Sequence, residues 1–176
     1  MNGQTFSEIQ KFKQVWIWVL VTFVMGGTLL FLWHGVYQQL YLGRSFGDHP
    51  APNGALVLGV VFETIMCIVI ASIMGSIKLV VEAGPDRIKI RFFPFKTLEI
   101  SFGNIREFQV RDYEPLKEFG GWGMRRSWDG KTKAFNMSGR RGVEVFLLDG
   151  TRVMIGSQRS EELGEVLKAY RVQEKL

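Results

Sequence analysis

Residues 15–33 (VWIWVLVTFVMGGTLLFLW) carry no charge, and residues 55–77 (ALVLGVVFETIMCIVIASIMGSI) carry a single ionisable side chain, Glu63. An α-helix rises ~1.5 Å per residue, so each run covers roughly the ~30 Å hydrocarbon thickness of a bilayer. A chain of 176 residues that commits two such runs has room for one further small domain. A cleaved signal peptide would have a shorter apolar stretch and a small-residue cleavage site. The first run passes instead into Trp33, His34 and a Tyr/Gln-rich stretch. The pattern therefore reads as a two-helix transmembrane hairpin within residues 1–77, followed by a separate domain over residues 78–176.

Basic residues in the flanks set the expected orientation. Lys11 and Lys13 precede the first run, Arg44 alone lies in the 34–54 connection, and 19 of the 22 lysines and arginines lie from Lys78 onward. Both termini and the 78–176 domain are thus expected on the cytoplasmic side of the plasma (inner) membrane. Trp16, Trp18 and Trp33 stand near the ends of the first span, where indoles favour the headgroup layer. That helix is expected to continue through Tyr37 and Tyr41 and to stop near Gly43, with residues 45–54 (SFGDHPAPNG) as a turn-rich connection. Cys67 is the one cysteine, which excludes an internal disulfide and a cysteine zinc site. Asp48 and His49 in the connection read as solvated, and no metal or other cofactor is implied.

From Lys78 the hydrophobic period changes to two. In residues 86–93 (DRIKIRFF), Ile88, Ile90 and Phe92 alternate with basic residues, and residues 97–102 (TLEISF) repeat the alternation after a break at Pro94. Residues 105–111 (IREFQVR) continue it with an odd interval between Ile105 and Phe108 that marks a bulge. Asp149-Gly150 joins VEVFLL to TRVMI as a two-residue hairpin, and Asp129-Gly130 stands between two further runs, WGMRRSW and KTKAFNM. With KLVVEAG (78–84) leading in, the count is about seven strands. The tail reverts to helical spacing: Ser160 is the cap, Glu161 and Glu162 suit the positive end of the helix dipole, and Leu163, Val166, Leu167 and Tyr170 form one apolar stripe.

About seven antiparallel strands and one closing helix is the order of a pleckstrin-homology-like (PH-like) barrel. Residues 120–125 (GGWGMR) and 133–145 (KAFNMSGRRGVEV), leading to the Asp149-Gly150 hairpin, resemble the bacterial PH-like domains that follow a transmembrane hairpin. The resemblance covers roughly residues 78–176, and its order of elements extends over the whole chain. It implies an α+β membrane protein in which a PH-like antiparallel β-barrel capped by a helix serves as an interaction domain. It brings no catalytic residues.

Two features bear on function. Residues 120–141 hold Arg125, Arg126, Lys131, Lys133, Arg140 and Arg141 against Asp129 alone, a net +5 equal to that of the whole chain. Beside an anionic leaflet each basic residue contributes about 1 kcal/mol, and Trp122 and Trp128 interleave with the cluster. Lys78, Lys89 and Arg91 only loosely resemble the basic residues near the first strands of lipid-binding PH domains, so no inositol-phosphate pocket is assigned. The second feature is Glu63, whose charge at mid-span would cost ~2.5–3.5 kcal/mol. It is expected to be protonated, hydrogen-bonded or facing water. Ala55, Gly59, Glu63, Cys67, Ala71 and Gly75 form a ridge at every fourth position, suited to close helix packing. With the spans level, Glu63 lies opposite Met25, near Gly26, Gly27, Thr22 and Thr28.

The soluble part contains no nucleophile motif, no paired carboxylates at helical spacing and no glycine loop opening a helix, so an enzyme is not expected. Asp112, Glu114 and Glu118 lie beside Arg111 and Lys117 and read as surface pairs. Nucleic acid is a remote partner for a membrane-attached chain without a reading motif. The sequence points to a scaffold or binding module whose partners are membrane lipids, a second copy of itself or another membrane protein. The alternative is a small transport or channel subunit centred on Glu63.

Overall fold

The structure is a computed structural model and describes residues 5–12 and 14–173, so Lys13 lies outside the described residues. It divides into two units: Gln14–Gly75, and a second unit made from the chain on both sides of that segment.

The first unit holds α1 (Val15–Val36), a π-helical continuation (Tyr37–Tyr41) and α2 (Asn53–Ser76). Both helices are long and apolar enough to cross a membrane. Most of their large side chains are exposed, with Leu56 and Val60 of α2 buried, whereas a helix in a soluble core is mostly covered. As expected from the sequence, the first helix runs on through Tyr37 and Tyr41, whose rings stack at 5.2 Å, and stops before Gly43, a left-handed residue. The connection is ordered by packing. Phe46 lies against Gly35, where even a Cβ would come within 2.8 Å of its ring, and meets Phe31 edge-on at 5.2 Å. Gln39 Nε2 donates to the Ala51 carbonyl (2.6 Å) and to Asn53 Oδ1 (2.7 Å), tying the end of α1 to the start of α2.

The second unit is built on two sheets. One contains β1 (Phe6–Lys11), β2 (Lys78–Ala83), β3 (Arg87–Phe93) and β4 (Lys96–Ser101), all antiparallel in that order. The chain then forms β5 (Ile105–Asp112), the short helix α3 (Pro115–Phe119), β6 (Gly123–Arg126), β7 (Thr132–Asn136), β8 (Arg141–Leu147) and β9 (Arg152–Gly156). These strands make a second sheet in the order β5-β8-β9-β7-β6. Helix α4 (Ser160–Gln173) closes the chain and buries its expected stripe of Leu163, Val166, Leu167 and Tyr170. That stripe joins Phe6, Leu79, Ile88, Ile90, Phe135, Val143 and Ile155 in one core.

Three expectations need correction. Among the described residues the β unit has nine strands in two sheets rather than about seven in a barrel. The eight alternating runs correspond to β2–β9; the strand outside them is β1, which pairs along its length with β2, from Phe6↔Ala83 to Lys11↔Lys78. Its period is hidden because Phe6, Glu8 and Gln10 face inward while Ile9 faces out. The buried carboxylate of Glu8 accepts hydrogen bonds from Ser157 Oγ (2.5 Å) and the Gln158 amide (2.9 Å), and Gln10 Nε2 donates to the Gly156 carbonyl (2.8 Å). Second, the sheets are not wholly antiparallel, since β7 runs parallel to β9. The 137–140 connection passes over the end of β9, which slots between the two strands that this connection joins. A strand inserted between antiparallel neighbours is necessarily parallel to one of them. Third, the β8–β9 turn has three residues. Leu147 bonds Thr151 across it, and Gly150 alone takes a positive φ. The irregularity expected near Ile105 is present, as a register shift between Ile105 and Glu107.

Candidate functional site

The β6–β7 hairpin pairs Arg125 with Ala134 and Arg126 with Lys133. Its turn is held by Asp129, which accepts from the Ser127 hydroxyl and from the Lys131 amide. Those hydrogen bonds hold the Asp129 carboxyl below the usual carboxylate range. Beside the hairpin is a groove of about 530 Å³ lined by Lys96, Phe119, Arg125, Arg126, Trp128 and Lys133, among others. Four of the eight side chains singled out in the cluster thus converge: Arg125, Arg126, Lys133 and Trp128.

Trp128 is 82% exposed yet fixed. Its indole N–H donates to the Lys117 carbonyl (2.8 Å), and its ring lies over Gly120. Trp122 is set apart: its indole N–H donates to the Gly139 carbonyl (3.2 Å), and with Arg140 it lines a separate groove of about 410 Å³ over Pro115 and Leu116. Lys131 lies exposed at the turn. Arg141 is engaged elsewhere, with Glu161 at 2.7 Å and Asp112 at 3.7 Å. The local charge is therefore smaller than the sequence count, because α4 and the end of β5 bring carboxylates to Arg141. Among the described residues, Arg125, Arg126, Lys131, Lys133 and Arg140 form no ion pair with a carboxylate.

The acidic loop is committed to ion pairs, as expected. Arg111 bonds Glu144 (2.6 Å) and Glu118 (2.8 Å), and Lys117 bonds Glu114 (2.6 Å). Burial raises the Glu118 carboxyl, but hydrogen bonds from Arg111 and the Glu114 amide outweigh it and leave Glu118 below the usual range. On the first sheet, Lys89 pairs with Glu99 (2.8 Å) and Arg91 with Glu82 (2.5 Å), so neither is a free cation.

Sequence reasoning missed Lys96 and the tip between β3 and β4. Lys96 lines the basic groove and also a second depression of about 410 Å³, shared with Ile9, Lys78, Phe93 and Phe95. The signal is the run Phe92-Phe93-Pro94-Phe95, in which Pro94 marks a strand break and three aromatics surround it. Large aromatics at a turn, with no core to enter, mark an exposed apolar surface.

In the helical unit, Thr28 Oγ1 lies 2.7 Å from Glu63 Oε1 and 3.0 Å from the Met25 carbonyl. This is the helix-to-helix contact expected from level spans. Gly59 faces Leu32 at 4.0 Å, so the middle of the ridge meets α1. Its end does not: Ala71 is exposed, and nothing lies within 4 Å of a Cβ at Gly75, Gly26 or Gly27. The close approach expected at Gly26 and Gly27 is therefore not used within the chain. Comparison with protein-family models and with curated proteins finds no match, so the assignment of this surface rests on its own residues.

Proposed function

We propose that the chain is a membrane-anchored, PH-like binding module: α1 and α2 span the bilayer, and the β unit lays its basic, aromatic face on anionic headgroups of the cytoplasmic leaflet. The β6–β7 hairpin aside, seven strands followed by α4 keep the order of a PH-like domain, with the helix hairpin inserted after the first strand. One observation carries the reading. Lys11 and Lys78 are register partners at one end of the β1–β2 pair; α1 starts at Val15 and α2 ends at Ser76. Both helices are thus joined to the same sheet end by links of only a few residues. A β unit so tethered is held at the membrane surface, where unpaired cations each gain about 1 kcal/mol and fixed indoles favour the headgroup layer.

The test uses the full chain in lipid nanodiscs. Backbone hydrogen exchange over residues 124–133 is expected to slow in phosphatidylglycerol-containing discs relative to pure phosphatidylcholine, and to recover in high salt. The Arg125→Ala, Arg126→Ala, Lys133→Ala variant is expected to remove the difference. Exchange that ignores lipid charge in the unsubstituted chain would overturn the headgroup reading. In this reading Glu63 acts as an interhelical contact through Thr28. Proton flux across reconstituted vesicles that disappears in Glu63→Gln would replace it with a transport function.

A further inference from the structure

We infer that the tip between β3 and β4 is a second membrane contact, an apolar wedge that enters the lipid surface; this rests on the reading that α1 and α2 span the bilayer. Phe93 and Phe95 flank Pro94 at the tip and are 49% and 58% exposed, although both are large apolar side chains. On the outer face of the same sheet, Ile9 is 62% exposed and borders the same depression. Polar backbone at the tip is largely satisfied: the Phe95 amide donates to the Phe92 carbonyl (2.8 Å), and Pro94 has no amide hydrogen to lose. Such a turn enters the headgroup layer without stripping water from an unpaired N–H. Withdrawing the exposed parts of these apolar side chains from water favours insertion.

Charge and register fix the occupant as an anionic lipid surface. The Lys78 ammonium lies 5.2 Å from the centre of the Phe93 ring, and Lys96 follows Phe95 directly. Neither lysine forms an ion pair among the described residues, whereas Arg91, deeper in the sheet, is neutralised by Glu82. Lys11, Lys78 and Phe93 form one row across β1, β2 and β3. This is the row from which the chain departs into α1 and to which it returns from α2. With neighbouring strands ~4.8 Å apart, Phe93 lies roughly 10 Å along that row from Lys11. On the spanning reading, the short links to both helices start from this end of the sheet.

Site-specific fluorescence on the full chain tests the wedge. In a Cys67→Ser background, an environment-sensitive label is placed at Phe95→Cys, at Asp86→Cys in the turn at the opposite end of the same sheet, and at Phe23→Cys in α1. The proteins are reconstituted in phosphatidylcholine/phosphatidylglycerol vesicles containing spin-labelled lipids. The label at position 95 is expected to emit at shorter wavelength than that at 86 and to be quenched severalfold by lipids spin-labelled near the headgroup. The label at 86 stays unquenched, and that at 23 is quenched by lipids labelled deep in the acyl chain. Quenching at 23 with none at 95 leaves the spans standing and overturns the wedge. A blue shift at 95 without lipid quenching also overturns it, because the tip is then covered by protein, such as a second copy. Absence of quenching at both 23 and 95 overturns the spanning reading and the wedge with it.

Discussion

Phe135 in the β unit is 1% exposed, packed among strands from both sheets and α4, whereas Phe23 in α1 is 79% exposed. The contrast holds for both units as a whole. The β unit alternates, sending one set of side chains inward and the other to water, so its apolar residues cover one another. The helical hairpin shows its apolar residues all round and gathers polar contacts at few points, chiefly Thr28–Glu63 and Gln39–Asn53. Apolar composition alone does not say where a side chain goes. Period decides it: two gives an inside and an outside, while an unbroken apolar run gives a surface that lipid or other protein must cover.

The strongest challenge to this contrast is a matched pair of truncations. Phe135→Ala is expected to lower the unfolding free energy of the β unit by about 3–5 kcal/mol, and Phe23→Ala to leave that transition where it was, both measured by denaturant unfolding in detergent. Equal losses would mean that α1 belongs to the core. A smaller effect tests whether β1 is integral to the sheet. Glu8→Ala removes the acceptor of Ser157 Oγ and the Gln158 amide and is expected to cost about 1–3 kcal/mol. Its check is faster hydrogen exchange at residues 157–158, and unchanged exchange would show β1 to be dispensable. The smallest effect belongs to the hairpin: Thr28→Ala or Glu63→Leu should weaken helix pairing by about 0.6–1.7 kcal/mol. Cross-linking between cysteines placed on α1 and α2 reads this, and undiminished yields would assign the pairing to Gly59–Leu32 and the Phe46 packing instead.

Much of this was legible in the residues. Strands such as Arg87–Phe93 announce themselves because Ile88, Ile90 and Phe92 alternate with Arg87, Lys89 and Arg91, and the α4 stripe because its spacing has no competing reading. Phe6–Lys11 was not legible, because two of its three inward positions hold Glu8 and Gln10, which bond to partners at 156–158. A polar pair buried against distant backbone leaves no local pattern. The parallel β7–β9 pairing is invisible for the same reason, being set by which strand slots between which. The basic cluster was readable as a composition, but its division was not. Arg141 is neutralised by Glu161, twenty residues on, while Trp122 and Trp128 go to different grooves. Lys96 and Phe95 were overlooked because a proline turn was read as punctuation rather than as surface.

On the proposed spanning reading, the position of β1 ties completion of the first sheet to the way the two helices thread the bilayer. Phe6–Lys11 leave the ribosome before either apolar helix, yet their partner strand emerges only after both. During that interval the segment must stay on the side where residues 78–83 will arrive. A chain that sent its N-terminus across the bilayer would strand this edge on the wrong side, exposing the free edge of Lys78–Ala83 to other chains. In that proposed topology the six-residue strand works as a check: a chain with its two ends on opposite sides of the bilayer leaves its first sheet incomplete.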